Sequence, residues 1–181
     1  VIVILAEGPA QTENAKAMFY QLRNLPVKVV TYFENETMVP SMLASCDIVV
    51  DALYGIGFHG TVREEYYPLF EAVRQSPAVV ISIALPSGAN CDTGEVGGAC
   101  IQANYTVSFS TLKNAHLLQP AKLFCGQVVV VPIGIPGSLI SSEQGSIEVT
   151  EPDYAHQLLP LRNPEGHKGT YGRLLSICGS V

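Results

Sequence analysis

No cluster of Lys or Arg occurs anywhere in this chain, and its formal net charge is -6. Grip on a phosphate backbone needs such a cluster, so no nucleic acid is expected as a partner. A small-molecule nucleotide is not excluded, because backbone N–H groups hold phosphates without basic side chains. No apolar run approaches the ~20 residues that span a membrane, and no charged-then-apolar leader is visible, so no membrane partner is expected. Five cysteines, at 46, 91, 100, 125 and 178, are odd in number and include no Cys-x-x-Cys. That argues against a disulfide framework or a zinc site and favours reduced thiols in a cytoplasmic protein. The four histidines, at 59, 116, 156 and 167, lack metal-ligand spacing. There is no internal repeat and no low-complexity tract.

What is present suits one domain with a real core: 181 residues, 48% hydrophobic and 14% charged. Apolar runs predict strands over 1–6, 27–32, 46–52, 78–83, 105–110 and 127–133. Thr12 is placed to cap a helix with Ala15, Met18, Phe19 and Leu22 at helical spacing. Pro40 suits the first residue of a short helix ending near Ser45. A helix over 64–75 turns Tyr66, Leu69, Phe70 and Val73 inward. Strands alternating with helices imply βαβ units. The fold expected is α/β, a three-layer Rossmann-like parallel sheet with helices on both faces. From Pro136 the texture changes to turn residues and short apolar pieces. It reads as a connection with one small strand over 146–149 and a short helix over 153–159. A new strand is expected over 173–178. The chain opens inside a strand pattern without Met and closes after a Gly-Ser turn, so both ends read as breaks in a longer polypeptide.

Two segments concentrate chemistry. Asp51-Ala-Leu-Tyr-Gly-Ile-Gly57 follows one buried strand, and Leu85-Pro-Ser-Gly88 with Asp92-Thr-Gly94 follows another. In an open parallel sheet the carboxyl ends of all strands share one rim, where ligands bind. Asp51 there can ligate a cation, accept from a ribose hydroxyl or act as a base; it can equally cap its turn. Ser87, fixed between Pro86 and Gly88, can ligate a hard monovalent cation beside Asp51, or only shape the turn. It is not in a Gly-x-Ser-x-Gly elbow. The glycines at 55, 57 and 60 allow close backbone approach to a phosphate without forming a full dinucleotide fingerprint. His59, inside that loop, is either an unengaged loop residue or a ligand contact. Asp92-Thr-Gly94 reads as an Asx-type turn or as a pocket wall. Lys113 lies just past the 105–110 strand, where it either faces solvent or neutralises an anion.

These segments, with Ser82-Ile-Ala-Leu-Pro-Ser-Gly-Ala-Asn-Cys-Asp-Thr-Gly94, Thr106-Val-Ser-Phe109 and Val130-Val-Pro-Ile-Gly-Ile-Pro136, resemble the YjeF N-terminal family of NAD(P)H-hydrate epimerases. The tail, Leu161-Arg-Asn-Pro-Glu-Gly-His-Lys-Gly-Thr-Tyr-Gly172 and the apolar piece after it, resembles the opening of an ADP- or ATP-dependent NAD(P)H-hydrate dehydratase, a ribokinase-like domain. The resemblance covers essentially the whole chain. It implies an epimerase-like domain over 1–150, followed by a linker and the first strand of the dehydratase domain over 151–181. Bifunctional repair enzymes join the two in this order.

The implied chemistry is repair of hydrated nicotinamide cofactors. The first domain interconverts the R and S forms of NAD(P)H hydrate. The second removes water from the S form at the expense of ADP or ATP. The family's potassium site falls on Asp51 and Ser87. Its substrate loop falls on Gly55, Ile56, Gly57, Phe58, His59, Gly60 and Thr61, with Lys113 nearby. Two departures stand out. Ala84 occupies the position where the family has an Asp implicated in catalysis, and a methyl neither accepts nor delivers a proton. The family's Asn-Asn-Gly-Gly-Asp-Gly loop belongs upstream of Val1. Together they imply that the chain as given performs neither reaction alone. The alternative is a non-catalytic scaffold or dimerisation module supporting a dehydratase, with a homo-oligomer as a candidate state. A sugar kinase reading rests on the tail alone.

Overall fold

Thr12 opens the first helix, as its position demands: its Oγ1 accepts the N–H of Ala15 at 3.2 Å. The computed structural model describes residues 1–6, 12–142, 149–159, 161 and 163–179. They divide into two units, Val1–Ile135 and Pro136–Val181.

The first unit alternates strands and helices, and its strand pairs are all parallel. β1 (Ile2–Leu5) pairs with β2 (Lys28–Thr31). β3 (Ile48–Asp51), β4 (Val79–Ile83), β5 (Tyr105–Phe109) and β6 (Gln127–Val131) form a four-stranded sheet in chain order. The helices are α1 (Glu13–Leu22), α2 (Tyr32–Asn35), α3 (Val39–Ala44) and α4 (Tyr67–Gln75). The α/β class with a parallel sheet flanked by helices is thus the one the sequence implies.

Boundaries shift for local reasons. The helix expected over 64–75 splits into a 3-10 turn, Glu64–Tyr66, and α4, because Pro68 fits only a first helical turn. Pro40 is the second residue of α3 rather than the first. β5 stops one residue short, since Ser110 has φ +60°. β6 stops at Val131, two residues short of the expected 133. In α1, Phe19 and Leu22 are half-buried, whereas Ala15 and Met18 face solvent.

In-register residues of parallel strands share a face, which sorts the sheet into two. Val49 and Val80 belong to the core with Tyr32, Val39, Leu43, Tyr66, Phe70 and Val73, from α2, α3 and α4. Tyr66 is the hub of that core. Its ring lies 5.8 Å from Tyr32, 5.5 Å from Phe33 and 6.4 Å from Tyr54. A second cluster joins Leu85, Ala89, Cys91, Ala115 and Ala121. The opposite sheet face carries an apolar stripe: Ile48 is 57% exposed, Val50 58% and Tyr105 43%, with Val79, Val129 and Val131 beside them.

The second unit holds α5 (Gly137–Ser142) and α6 (Pro152–Leu158). Residues 163–171 fold onto the Tyr171 hydroxyl, which accepts from Asn163 N at 2.6 Å. The strand expected over 173–178 is not formed: residues 172–179 carry no regular structure. A strand needs a paired neighbour, and no described strand falls within this unit. The small strand expected over 146–149 falls largely outside the described residues, and Val149 is not in a strand. No helix among the described residues is long and apolar enough to cross a membrane.

Candidate functional site

Strand register builds the centre of the site. Asp51 ends β3 and pairs with Ser82, which pairs with Thr106, so the three stand in one row across the sheet. Asp51 is only 7% exposed, and Ser82, Ser87 and Thr106 are fully buried. A buried carboxylate needs donors. Its Oδ2 accepts from Ser82 Oγ at 2.8 Å and from Ser87 N at 2.9 Å. Its Oδ1 accepts from Ser87 Oγ at 2.5 Å and, at 3.4 Å, from Leu53 N. The amide of Tyr54 donates to Ser87 Oγ at 2.9 Å, tying the start of the glycine loop to this centre.

Ser87 reaches Asp51 through a strained turn. Ala84 has φ +66°, and Leu85 N donates back to Ile83 O at 2.8 Å, a γ-turn of the rare positive-φ kind. Pro86 and Ser87 follow, then Gly88 at φ +102°, where a Cβ would overlap Ala99 O. The neighbouring strand ends the same way. Ser110 has φ +60°, and Thr111 N donates to Phe109 O at 2.7 Å. The Ser110 hydroxyl is buried with no hydrogen-bond partner among the described residues.

Lys113 closes that second turn. Its Nζ donates to Phe109 O at 2.6 Å, Thr111 O at 2.8 Å and Ser108 Oγ at 3.2 Å, so all three ammonium hydrogens meet protein acceptors. Burial lowers its pKa from the usual lysine range. His116, 3% exposed, lies between the two turns: Lys113 N donates to Nδ1 at 3.0 Å, and Nε2 meets Ala84 O at 2.9 Å. Burial lowers its pKa too.

The residues expected to hold substrate divide by environment. Phe58 packs in the core, its ring 4.8 Å from Tyr54, and its N–H donates to Gly55 O at 3.0 Å. Ile56 points to solvent. His59 Nδ1 lies 3.3 Å from Asn90 Nδ2. Asn90 Oδ1 already accepts from Asp92 N and Thr93 N, both at 3.0 Å, so the amide nitrogen faces the imidazole and donates. The neutral ring of His59 therefore carries its proton on Nε2. Gly60 and Thr61 line, with Asn90, Glu95, Gly97 and Pro120, a cleft of about 420 Å³. Gly97 is required where the two loops cross, since its Cβ would overlap Gly60 O. The Asx turn forms, but on Asn90 rather than Asp92.

The structure brings Asp51 and Ser87 together, as the motifs imply. It adds Ser82, Asn90 and His116, which motif reading missed. The oxygens of Asp51 and Ser87 and the carbonyl of Tyr54, 3.4 Å from Ser87 Oγ, make an all-oxygen set with one negative charge. That set fits a hard monovalent cation, provided the Ser87 hydroxyl turns its hydrogen away from Asp51. Nearby thiols offer no nucleophile: burial, with the charge of Asp51, pushes Cys100 up to about 12, and burial pushes Cys125 up to about 11. Among the described residues no three His, Cys, Asp or Glu side chains converge to hold a metal.

Comparison with known proteins places these features in a lineage. The repair enzyme "Bifunctional NAD(P)H-hydrate repair enzyme Nnr" of Thermofilum pendens is 37% identical over 138 residues, 76% of this chain and 26% of that protein. The Hyperthermus butylicus protein of the same name is 32% identical over 99% of this chain and 32% of its own length. The "NAD(P)H-hydrate epimerase" of Elusimicrobium minutum is 36% identical over 71% of this chain and 56% of its own. The chain thus spans about a quarter to a third of the bifunctional relatives. The crystal structure of yeast ynu0, YNL200c, superposes with a TM-score of 0.57 at 20% identity, over 93% of this chain and 63% of that one. Residues 1–115, which contain the Asp51–Ser87 centre and the glycine loop, match the family described as YjeF-related protein N-terminus, and the chain belongs to that family.

Proposed function

We propose that this chain is the epimerase-family half of an NAD(P)H-hydrate repair enzyme, seating a hydrated pyridine nucleotide and a potassium ion at the strand-tip rim. The observation that carries the reading is the grouping of oxygens at one buried point: the Asp51 carboxylate, the Ser87 hydroxyl beside it and the Tyr54 carbonyl 3.4 Å from that hydroxyl. Such a centre gives a cation a charged oxygen and a hydroxyl on a rigid turn. A bound potassium ion would supply positive charge to hold an anionic part of the nucleotide. Asp51 and Ser87 would hold that ion, while the backbone of Gly55 to Thr61 approaches the substrate. His59, with Nδ1 engaged by Asn90, presents Nε2–H as the donor from that loop.

Epimerisation needs a group that takes and returns a proton, and Ala84 supplies none. The names of the relatives support the substrate class. The match to the Hyperthermus butylicus protein, named a bifunctional repair enzyme, runs through the tail, which supports reading residues 151–181 with the second, dehydratase activity. The test is R/S interconversion of NADPH hydrate by the full chain and by Ala84→Asp, with potassium present. The expected result is no acceleration by the wild type and a gain in the variant, whose carboxylate can take and return a proton and whose backbone tolerates φ +66° better than that of Ala. No acceleration by either protein contradicts the reading.

A second reading, a non-catalytic dimerisation module, is favoured by the exposed apolar face carrying Ile48, Val50 and Tyr105. Sedimentation equilibrium decides it: a dimer lost on Val50→Lys supports it, and a monomer contradicts it.

A further inference from the structure

Ala84 and His116 lie 32 residues apart and meet at 2.9 Å. The two imidazole nitrogens have opposite parts. A backbone N–H, that of Lys113, points at Nδ1 at 3.0 Å, so Nδ1 is an acceptor. The neutral ring then carries its hydrogen on Nε2, and that N–H donates to Ala84 O. The tautomer follows from the two backbone groups.

The carbonyl it grips belongs to a strained residue. A non-glycine residue at φ +66° persists only where its surroundings hold it. Three bonds act on this turn: Ala84 N to Val107 O at 2.8 Å, Leu85 N to Ile83 O at 2.8 Å, and the histidine. The first extends the β4–β5 ladder by one bond, and the second lies within the turn itself. The third ties the turn to an element outside the sheet, the 3-10 turn Asn114–His116, and is the one of the three that acts on the carbonyl of Ala84. The chain beyond Ala84 has little freedom to absorb an error. Leu85 is fully buried, and Pro86 fixes its own φ. Ser87 then places both its N–H and its Oγ on one carboxylate.

We propose that His116 is a positioning residue for Ser87, holding the left-handed turn at Ala84 so that Ser87 engages Asp51 with two donors at once. This rests on the reading of Asp51 and Ser87 as the cation and nucleotide centre. The competing role is local: His116 accepting Lys113 N only caps its own 3-10 turn.

Three substitutions separate these roles. In His116→Gln the side-chain amide extends to the place of Nε2 and keeps a donor for Ala84 O. In His116→Asn the shorter amide keeps an acceptor for Lys113 N and loses Ala84. His116→Leu keeps neither. Hydrogen exchange of the Ser87 amide in the full chain is the readout, because that N–H is buried on Asp51 and needs no ligand to report. In wild type and His116→Gln it is expected to exchange slowly, and in His116→Asn about tenfold faster. Ring nitrogen shifts of wild-type His116 are expected to show Nε2 protonated. Equal exchange in the Gln and Asn variants, or faster exchange in Gln than in Asn, overturns the proposal, as does an Nδ1–H tautomer. If His116→Leu fails to fold, the Gln and Asn pair still decides. Potassium and NADPH-hydrate titrations of the same proteins separate the two levels. Binding retained by Gln and weakened in Asn extends the positioning role to the site. A wild type that binds neither, with the exchange pattern intact, overturns the site's function and leaves the positioning role standing.

Discussion

Ser87 grips Asp51 twice, with Oγ–H on one carboxylate oxygen at 2.5 Å and N–H on the other at 2.9 Å. Ser82, its neighbour in the sheet register, completes the cradle at 2.8 Å. The two serines do different work, and substitutions separate them. Ser82→Ala leaves Oδ2 one donor short in a buried place, a loss of roughly 1–3 kcal/mol in urea denaturation. Its hydroxyl is not among the oxygens proposed to hold the cation, so potassium affinity is expected to change little. Ser87→Ala is expected to abolish potassium binding as well as lower stability. Equal effects of both substitutions on potassium binding would contradict this division.

Ala84 is the strained residue of the centre. Glycine adopts φ +66° freely, so Ala84→Gly relieves the turn and is expected, in chemical denaturation, to leave stability unchanged or raise it by up to about 1 kcal/mol. A loss of more than that would show that the alanine methyl packs against something the turn needs.

Gly97 is the opposite case. Its missing side chain lets the 88–98 loop cross the backbone at Gly60, while Val62 N donates to Gly97 O at 2.8 Å. Gly97→Ala forces backbone apart, at a cost of about 1–3 kcal/mol, and is expected to open the cleft lined by Gly60 and Glu95. Chemical denaturation and hydrogen exchange at Val62 read both effects.

His116 gives stability a pH dependence. Burial lowers its pKa, so below about pH 6.5, the ordinary histidine value, the unfolded chain binds a proton that the folded chain resists. The unfolded state then holds more protons, and stability rises with pH. The histidine's contribution is complete above that value and is lost as the pH falls below it. Lys113 is the charged neighbour, and its ammonium opposes protonation further. The difference in urea midpoint between wild type and His116→Gln is expected to change only on the acid side. A difference that changes on the alkaline side contradicts the burial argument.

The thiols rank by environment. Cys178 is exposed, while Cys100 and Cys125 are held as thiols at about 12 and about 11. Alkylation followed by mass spectrometry is expected to label Cys178 first and the other two only on unfolding.

Much of the centre was legible in the motifs. An Asp at one strand end and a Pro-Ser-Gly turn at the next could converge only if the strands were parallel and adjacent, which their apolar runs implied. Ser82 was not legible, because its contact depends on register rather than on neighbours in sequence. His116 carries no signal in the sequence beyond its lack of metal spacing; its bond to Ala84 spans 32 residues and exists only in the fold. Asn90 carries a local signal, an Asx residue two and three positions before the amides of Asp92 and Thr93, but Asp92 two residues on offers the same signal and competes with it in the sequence. Phe58 lies inside the glycine-rich loop that the motif assigns to substrate, yet an aromatic flanked by Tyr54 and Val62 gains more from the core.

The most direct test is a calorimetric titration of the full chain with NADPH hydrate, in potassium and in its absence, for wild type and Asp51→Asn. Potassium-dependent binding by the wild type, lost in Asp51→Asn, is the expected result. Binding that is indifferent to both potassium and Asp51, or no binding at all, would contradict a cation-supported nucleotide site at this rim.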